Sequence, residues 1–292
     1  MQWVGSRSYG VTLVAFAGVL WSTGGLFVRW LEALDLWTML AWRSLFAALA
    51  LAAVIFAFHR ARTFTALRRM GRPGLVAIPI ALVSMTSFVV SVTLTTVANV
   101  MIVYATVPFI AAGIGFLWNG ERPSRRMLAA SAAAFLGVAI MAGASASLDD
   151  LLGNAVALLM TTTFATQLVM ARRYPTLEMA PVNGGGAALC ALLFFPFASA
   201  VVPDADQLVI LALFGIATTA GAYVLFLVGG RYIPSGEAGL VGMLDVVLAP
   251  LWVWLLFDEQ PGVAALVGGS IVMASVLWYL VAELRRASAG RA

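Results

Sequence analysis

The sequence predicts an all-α integral membrane protein that crosses the bilayer many times. Of its 292 residues, 62% are hydrophobic and 10% are charged, and the mean hydropathy is +0.99. Soluble domains carry about 25% charged residues, so this composition excludes an ordinary soluble fold. The apolar segments are about 20 residues long and show no strand-like alternation, which indicates helices rather than a β-barrel.

Ten segments have the length and apolar composition of transmembrane helices, and short connections separate them. Their predicted ranges are 9–30, 35–58, 74–96, 99–118, 126–145, 151–172, 179–202, 207–229, 235–257 and 262–284. We interpret the first segment as a retained helix, because it is long enough to span and lacks the features of a cleaved signal peptide. No connection is large enough to form a soluble domain.

The arginines predict which side of the membrane each connection faces. With the N-terminus inside, 15 of the 17 arginines lie in cytoplasmic connections or termini. The outer connections then hold Arg29 alone among the arginines, together with acidic residues such as Asp150, Asp204 and Glu259. Cytoplasmic loops are enriched in basic residues, so this asymmetry places both termini in the cytoplasm.

Several functional classes are disfavoured by the same composition. The net charge of +4 is accounted for by topology, so we expect no nucleic-acid partner. One cysteine (Cys190) and one loop histidine (His59) do not supply a metal cluster. The chain has no lysine and no G-x-x-x-x-G-K-[ST] loop, so ATP is not the direct energy source. We predict no catalytic residues, no metal and no cofactor.

The starts of the two halves resemble each other. "YGVTLVAFAGVLWSTGGLFVRW" opens the first half, and "LGNAVALLMTTTFATQLVMARRY" opens the sixth segment. The alignment pairs Trp21 with Phe164 and Thr23 with Thr166. Because each half has an odd number of segments, the second half would lie inverted in the membrane. We therefore predict two inverted five-helix repeats, residues 1–146 and 147–292, although chance similarity between apolar segments is the alternative.

Two phrases at helix ends carry a resemblance to a known family. In "VPFIAAGIGFLWNGERPS" an apolar helix with a proline leads into Glu-x-Pro, and "APLWVWLLFDEQPG" is its second copy. With five plus five helices, these phrases resemble the EamA type of the drug/metabolite transporter superfamily over nearly the whole chain. Length and arrangement are most similar to bacterial inner-membrane amino-acid and metabolite exporters, including aromatic-amino-acid exporters of the YddG type.

The resemblance implies a secondary transporter rather than an enzyme. It implies a multi-pass protein of the bacterial inner membrane that exports small metabolites such as amino acids, including aromatic ones. Transport would proceed by alternating access through a cavity between the repeats. We expect a small-molecule substrate, the lipid bilayer as surroundings and a monomeric state. Passive transport and proton exchange both remain open.

Other functions stay as alternatives. Within the superfamily, the substrate would be a drug or another metabolite. An intramembrane enzyme would need a metal cluster or paired acids, whereas Asp245 is isolated. A membrane scaffold needs no polar cavity, so Tyr104, Thr166 or Gln167 facing lipid or packed tightly would favour it.

Polar, aromatic and methionine side chains inside the predicted helices are the candidate substrate-binding residues. A sparse polar set among aromatic residues suits a small apolar or amphipathic solute. For each serine or threonine the alternative is structural, because such residues also hold transmembrane helices together. The candidates are Trp21, Ser22, Thr23, Met85, Tyr104, Thr106, Phe164, Thr166, Gln167, Tyr223 and Asp245.

Two charged residues lie inside predicted helices, where charges are costly and suggest function. Asp245, near the middle of the ninth helix, either binds a substrate ammonium or carries a proton. The structural alternative is an ion pair or a carboxyl group that burial keeps neutral. Arg43 lies roughly two turns from the outer end of the second helix. Arg43 either attracts a substrate carboxylate or extends as a structural residue to the outer interface. We favour the structural interpretation, because Arg43 lies near the helix end.

Overall fold

The computed structural model describes residues 7–59, 70–120, 125–143, 148–174, 177–229, 232, 241–242 and 244–289, and all regular secondary structure among them is helical. The helices of the first half are α1 Arg7–Ser22, α2 Gly24–Trp30, α3 Leu36–His59, α4 Gly71–Leu94, α5 Val97–Tyr104, α6 Val107–Asn119 and α7 Arg125–Gly143. Those of the second half are α8 Leu148–Arg173, α9 Met179–Phe194, α10 Ala205–Leu213, α11 Ala222–Gly229, α12 Leu244–Phe257 and α13 Val263–Ala289. A 3₁₀ turn at Phe195–Phe197 follows α9, and a π-helical segment at Phe214–Gly221 joins α10 to α11.

Seven stretches of the described residues are long and apolar enough to cross a membrane. They are Ser8–Trp30, Leu36–Phe58, Gly71–Leu94, Val97–Trp118, Leu148–Ala171, Met179–Phe197 and Ala205–Phe226. Three further apolar helices are shorter, at Leu128–Ile140, Leu244–Phe257 and Leu266–Tyr279. The predicted start of the ninth segment falls on residues 235–240 and 243, outside the described residues. Ten crossings therefore remain a prediction.

Three of the predicted spans contain an interruption. The first breaks at Thr23 between α1 and α2, and the fourth breaks at Ala105–Thr106 between α5 and α6. Pro108 lies in the first turn of α6, where its missing N–H costs no hydrogen bond. Pro250 instead stays inside the continuous helix α12. The third interruption is the π-helical segment in the eighth span, a feature frequent at functional sites.

Helices of the two halves pack against each other. α3 packs on α9, α4 on α8, α7 on α13, and α1 on both α11 and α12. Glycines permit close approach of α9 to α4, which also pack together, and of α7 to α13. A Cβ on Gly186 of α9 would lie 2.8 Å from the Cβ of Ala81, and one on Gly137 of α7 would lie 2.5 Å from the Gly268 carbonyl oxygen. Larger side chains at these positions would separate the helices.

α5 lies at the centre of the bundle. Six of its eight residues are buried, and its apolar side chains join a core that also includes residues of α2, α3, α8 and α12. A helix that is apolar on every side is suited to such a position. Large apolar side chains are exposed on the outside of the bundle, for example Leu75, Leu117 and Val263. This inside-to-outside pattern suits a protein surrounded by lipid.

Candidate functional site

A cavity of about 170 Å³ lies between the two halves of the bundle. Both halves contribute to its wall, whereas α7 and α13 supply none of the lining residues. At 1.5 Å per residue, Trp21 lies about 13 Å from the end of α2, and Asp245 lies about 18 Å from the end of α12. Both distances are near half of the roughly 30 Å thickness of a bilayer's hydrocarbon core. The lining residues are Trp21, Gly24, Arg43, Ser84, Met85, Phe88, Met101, Tyr104, Met160, Phe164, Gln167, Asn183, Thr218, Thr219, Tyr223 and Asp245.

Seven of the eleven candidate residues line this cavity. They come from six different helices, and the fold brings them together from positions spread over more than 220 residues of sequence. The paired repeat positions Trp21 and Phe164 are both among them. The seven are Trp21, Met85, Tyr104, Phe164, Gln167, Tyr223 and Asp245.

The other four candidates, Ser22, Thr23, Thr106 and Thr166, are not lining residues. Each hydroxyl donates a hydrogen bond to a backbone carbonyl three or four residues earlier, at 2.6–2.7 Å. Their polar groups are therefore satisfied within their own helices. Ser22 has a second partner, because the Trp252 indole Nε1 donates to its oxygen at 2.9 Å. That bond joins α1 to α12, which is the structural role left open for such residues.

Aromatic rings form much of the cavity wall. The rings of Tyr104 and Phe164, one from each half, have their centroids 5.6 Å apart at 47°. Gly24 allows Phe88 to approach, since a Cβ on Gly24 would lie 2.9 Å from the Phe88 Cζ. Such a wall suits an apolar or aromatic part of a ligand.

Two opposite charges reach the cavity from different helices. Arg43 of α3 is 3% exposed and Asp245 of α12 is 6% exposed. The Arg43 guanidinium lies over the Phe214 ring, with Cζ 4.7 Å from the centroid. The interpretation that Arg43 extends to the outer interface is therefore wrong. Its position on α3 turns it towards the π-helical segment, where an aromatic face replaces water around the cation.

Sequence reasoning left several lining residues out of the candidate set. Arg43 carried a signal, a charge within a span, but its interpretation was wrong. Ser84, Phe88, Thr218 and Thr219 are polar or aromatic and gave a weak signal that many other positions share. Met101 and Met160 are apolar residues in apolar helices, so nothing in the sequence separates them from core residues. Gly24 and Asn183 complete the set.

The described residues contain no group of three or more His, Cys, Asp or Glu side chains placed to hold a metal ion. The chemistry that the cavity itself offers is a cation, a carboxyl group, hydroxyl and amide groups, and aromatic faces. Tyr104 and Gln167 lie on this cavity rather than on the lipid-facing surface. Of the three residues whose position tests the scaffold alternative, Tyr104 and Gln167 line the cavity and Thr166 does not. Two of the three therefore disfavour a scaffold without a polar cavity.

Comparison with known proteins gives a consistent picture. A family model described as "EamA-like transporter family" matches residues 8–143 and again residues 151–281. A solved structure entitled "Crystal structure of protein" has 20% sequence identity and a TM-score of 0.66, covering 96% of this chain and 99% of that chain. At this identity the likeness shows a shared fold. The search of curated proteins gave no match.

Proposed function

Because the chain belongs to the EamA-like transporter family and is thus a multi-pass membrane protein, we propose that it exports small amphipathic metabolites such as amino acids, including aromatic ones. The single observation that carries this proposal is the cavity near mid-depth, lined from both halves by aromatic rings, Arg43 and Asp245. The aromatic wall suits an apolar side chain, and the polar groups suit the charged groups of an amino acid.

We propose alternating access as the mechanism, with two inverted repeats as its basis. Inversion would make α3 the counterpart of α9, α1 of α8, and α4 of α11. The packing of the helices supports this symmetry. Under this symmetry the contact of α4 with α8 corresponds to the contact of α11 with α1, and both are present. The contact of α3 with α9 joins two corresponding helices, and so does the contact of α7 with α13. Rocking of one repeat against the other would expose the cavity to each side in turn.

The proposed orientation has both termini in the cytoplasm of a bacterium, with the protein in its inner membrane. This orientation rests on the distribution of arginine in the sequence. Export then means movement from the cytoplasmic end of the bundle towards the end that holds Arg29 and Glu259.

Flux through purified protein in liposomes tests the proposal. Vesicles loaded with a labelled amino acid should release it faster than protein-free vesicles, without ATP. A panel should include phenylalanine, tryptophan, leucine, threonine and drug-like cations. Flux equal to that of protein-free vesicles for every solute would overturn the transporter proposal.

A cysteine variant tests whether the cavity is the path. In a Cys190→Ser background, Met85→Cys places a thiol on the cavity wall, and Leu75→Cys places one on the exposed surface of the same helix. N-ethylmaleimide should reduce flux through the Met85→Cys protein and leave the Leu75→Cys protein unchanged. Full flux after modification of Met85→Cys, with the adduct verified by mass spectrometry, would show that solute moves elsewhere.

A further inference from the structure

Arg43 is a buried cation on the cavity wall that forms no ion pair with any of the described residues. Within the part of the chain that the structure describes, its Nε has no hydrogen-bond partner. An ion pair at one end of the bundle joins Arg29 to Glu259. Burying a charge without a partner is costly, so a buried guanidinium in a cavity favours an anion at that position.

Aromatic packing fixes the place of the guanidinium. Arg43 lies over the Phe214 ring, and Phe214 in turn stacks on Phe27 with centroids 5.3 Å apart and an interplanar angle of 19°. Phe214 is fully buried at the start of the π-helical segment. A ring face attracts the cation without taking up its hydrogen-bond donors, so the guanidinium N–H groups stay available to a carboxylate.

Arg43 and Asp245 lie at different depths. Both depths can be counted from the same end of the bundle, because Trp30, which precedes α3, contacts Phe257 at the end of α12 with ring centroids 6.3 Å apart. At 1.5 Å per residue, Arg43 lies about 10 Å and Asp245 about 18 Å from that end. The backbone positions of Arg43 and Asp245 therefore differ in depth by about 8 Å.

We propose that Arg43 binds the carboxylate of the transported metabolite and selects for solutes that carry one. This assignment rests on the proposed transport function and deepens it by naming the charged group that the site selects. The carboxylate lies at the Arg43 edge of the cavity, and the apolar part of the solute extends towards Tyr104 and Phe164.

Matched pairs of solutes test the assignment in proteoliposomes. Each pair has the same side chain with and without the carboxylate: phenylalanine with phenylalaninamide, and leucine with leucinamide. Wild-type protein should favour the acid of each pair. Arg43→Gln should raise KM for the acids about 10-fold or more, since a charge-assisted bidentate contact is lost, and leave KM for the amides unchanged. Arg43→Lys, which keeps the charge but not the planar fork, should lie between them.

Two controls separate binding from folding. Arg29→Gln removes a cation outside the cavity and should leave the preference for acids intact. The acids, and not the amides, should raise the thermal unfolding temperature of the wild-type protein. The Arg43→Gln protein should stay folded and lose this response.

Three results would overturn the inference. Equal wild-type flux of acids and amides would do so while leaving the transport function standing. An acid preference that survives Arg43→Gln or Arg43→Lys unchanged would also do so. Absence of both flux and thermal stabilisation for every solute would overturn the inference and the proposed function together.

Discussion

Arg29 and Glu259 form an ion pair that joins the two halves at one end of the bundle, with Arg29 Nε 2.7 Å from Glu259 Oε2. The other carboxylate oxygen accepts a hydrogen bond from the Val97 backbone N–H at 2.8 Å, at the first residue of α5. Arg29 Nη2 also donates to the Thr95 carbonyl oxygen at 3.2 Å. One carboxylate therefore pairs a cation and satisfies an N–H group at a helix start, where no helical partner exists.

A second link between the halves lies beside this pair. The Thr95 hydroxyl donates to Asp150 Oδ1 at 2.9 Å, and Asn99 Nδ2 donates to the Thr95 Oγ1 at the same distance. A Cβ on Gly153 of α8 would lie 2.8 Å from the Thr95 side chain, so a glycine is what permits this approach. The junction between α4 and α5 is thereby tied to both α8 and the loop after α12.

We expect Glu259→Ala to lower the free energy of unfolding by about 1–2 kcal/mol, since Arg29 loses its partner and Val97 N–H loses its acceptor. The pair is partly exposed, with side chains 20% and 19% accessible, so the Coulombic part is screened. Glu259→Gln keeps an oxygen acceptor and should lower the free energy of unfolding by less than Glu259→Ala does. Unfolding can be followed in detergent by the reactivity of the Cys190 thiol, which is fully buried in the fold.

Glu32→Ala is the matched control, because Glu32 is an exposed carboxylate near the same end of the bundle. Equal unfolding temperatures for Glu259→Ala and Glu32→Ala would contradict a stabilising role for the pair.

The duplicated Glu-x-Pro phrase shows both what a sequence predicts and where it stops. In each copy the residue before the glutamate ends a helix in the left-handed region, Gly120 with φ 70° and Asp258 with φ 57°. Their N–H groups donate to the carbonyls four residues earlier, Phe116 at 2.9 Å and Trp254 at 3.1 Å. This local role follows from the phrase itself. The bond from Glu259 to Val97 spans 162 positions and has no local signature. Glu121 lies outside the described residues.

The residues of the candidate site also differ in how far the sequence alone predicts their position. Charges and aromatic residues inside apolar spans are unusual enough to be noticed, which is why Asp245, Tyr104 and Phe164 were found. Hydroxyl groups are harder to assign from sequence, because a threonine such as Thr166 bonds to its own helix as readily as it faces a cavity. The helical face that points inward depends on packing between distant helices, as the position of Arg43 shows.

The predicted orientation can be tested with one cysteine at a time. In a Cys190→Ser background, Asp206→Cys places an exposed thiol in the connection predicted to be outside, and Arg72→Cys places one in the connection predicted to be inside. A membrane-impermeant maleimide added to intact cells should label Asp206→Cys and leave Arg72→Cys unlabelled until the membrane is permeabilised. The reverse pattern would mean that the arginine distribution predicts the wrong orientation.

Asp35 caps the start of α3 and gives a pH-dependent contribution to stability. Its Oδ1 accepts a hydrogen bond from the Thr38 N–H at 2.9 Å. Partial burial alone would raise the pKa of Asp35, but hydrogen bonds from Thr38 and from neighbouring backbone groups lower it below the usual 3.8. A lowered pKa in the fold means that the stabilisation is present above about pH 4 and is lost as pH falls through the folded pKa.

We expect Asp35→Ala to lower the free energy of unfolding by about 1 kcal/mol at neutral pH, as for other lost N-caps. The difference from wild type should shrink as the pH falls below 3.8, the usual pKa of the carboxyl group. Asp35→Asn keeps an acceptor and serves as the control, with a much smaller loss at pH 7. Thermal melts followed by circular dichroism between pH 3 and pH 7 measure this, and a pH-independent difference for Asp35→Ala would count against the cap.

Gly215 is a position in the π-helical segment where the backbone of α3 approaches closely. A Cβ there would lie 2.4 Å from the Arg43 carbonyl oxygen and 2.8 Å from the Ala47 backbone N. Both are backbone atoms, so α3 would have to move to accommodate a methyl group. We expect Gly215→Ala to destabilise the fold by about 1–3 kcal/mol, the usual range for overpacking.

The same substitution should weaken transport of acids, because moving α3 displaces Arg43 from Phe214. Gly113→Ala is the matched control: Gly113 lies in α6, and a Cβ there meets no atom within 4 Å. That variant should gain about 0.5–1 kcal/mol from its higher helix propensity and keep wild-type flux. Thermal unfolding and proteoliposome flux of the two variants, measured side by side, check both expectations. If Gly215→Ala unfolds at the wild-type temperature with an unchanged KM for acids, the close packing of α3 on this segment does not position Arg43.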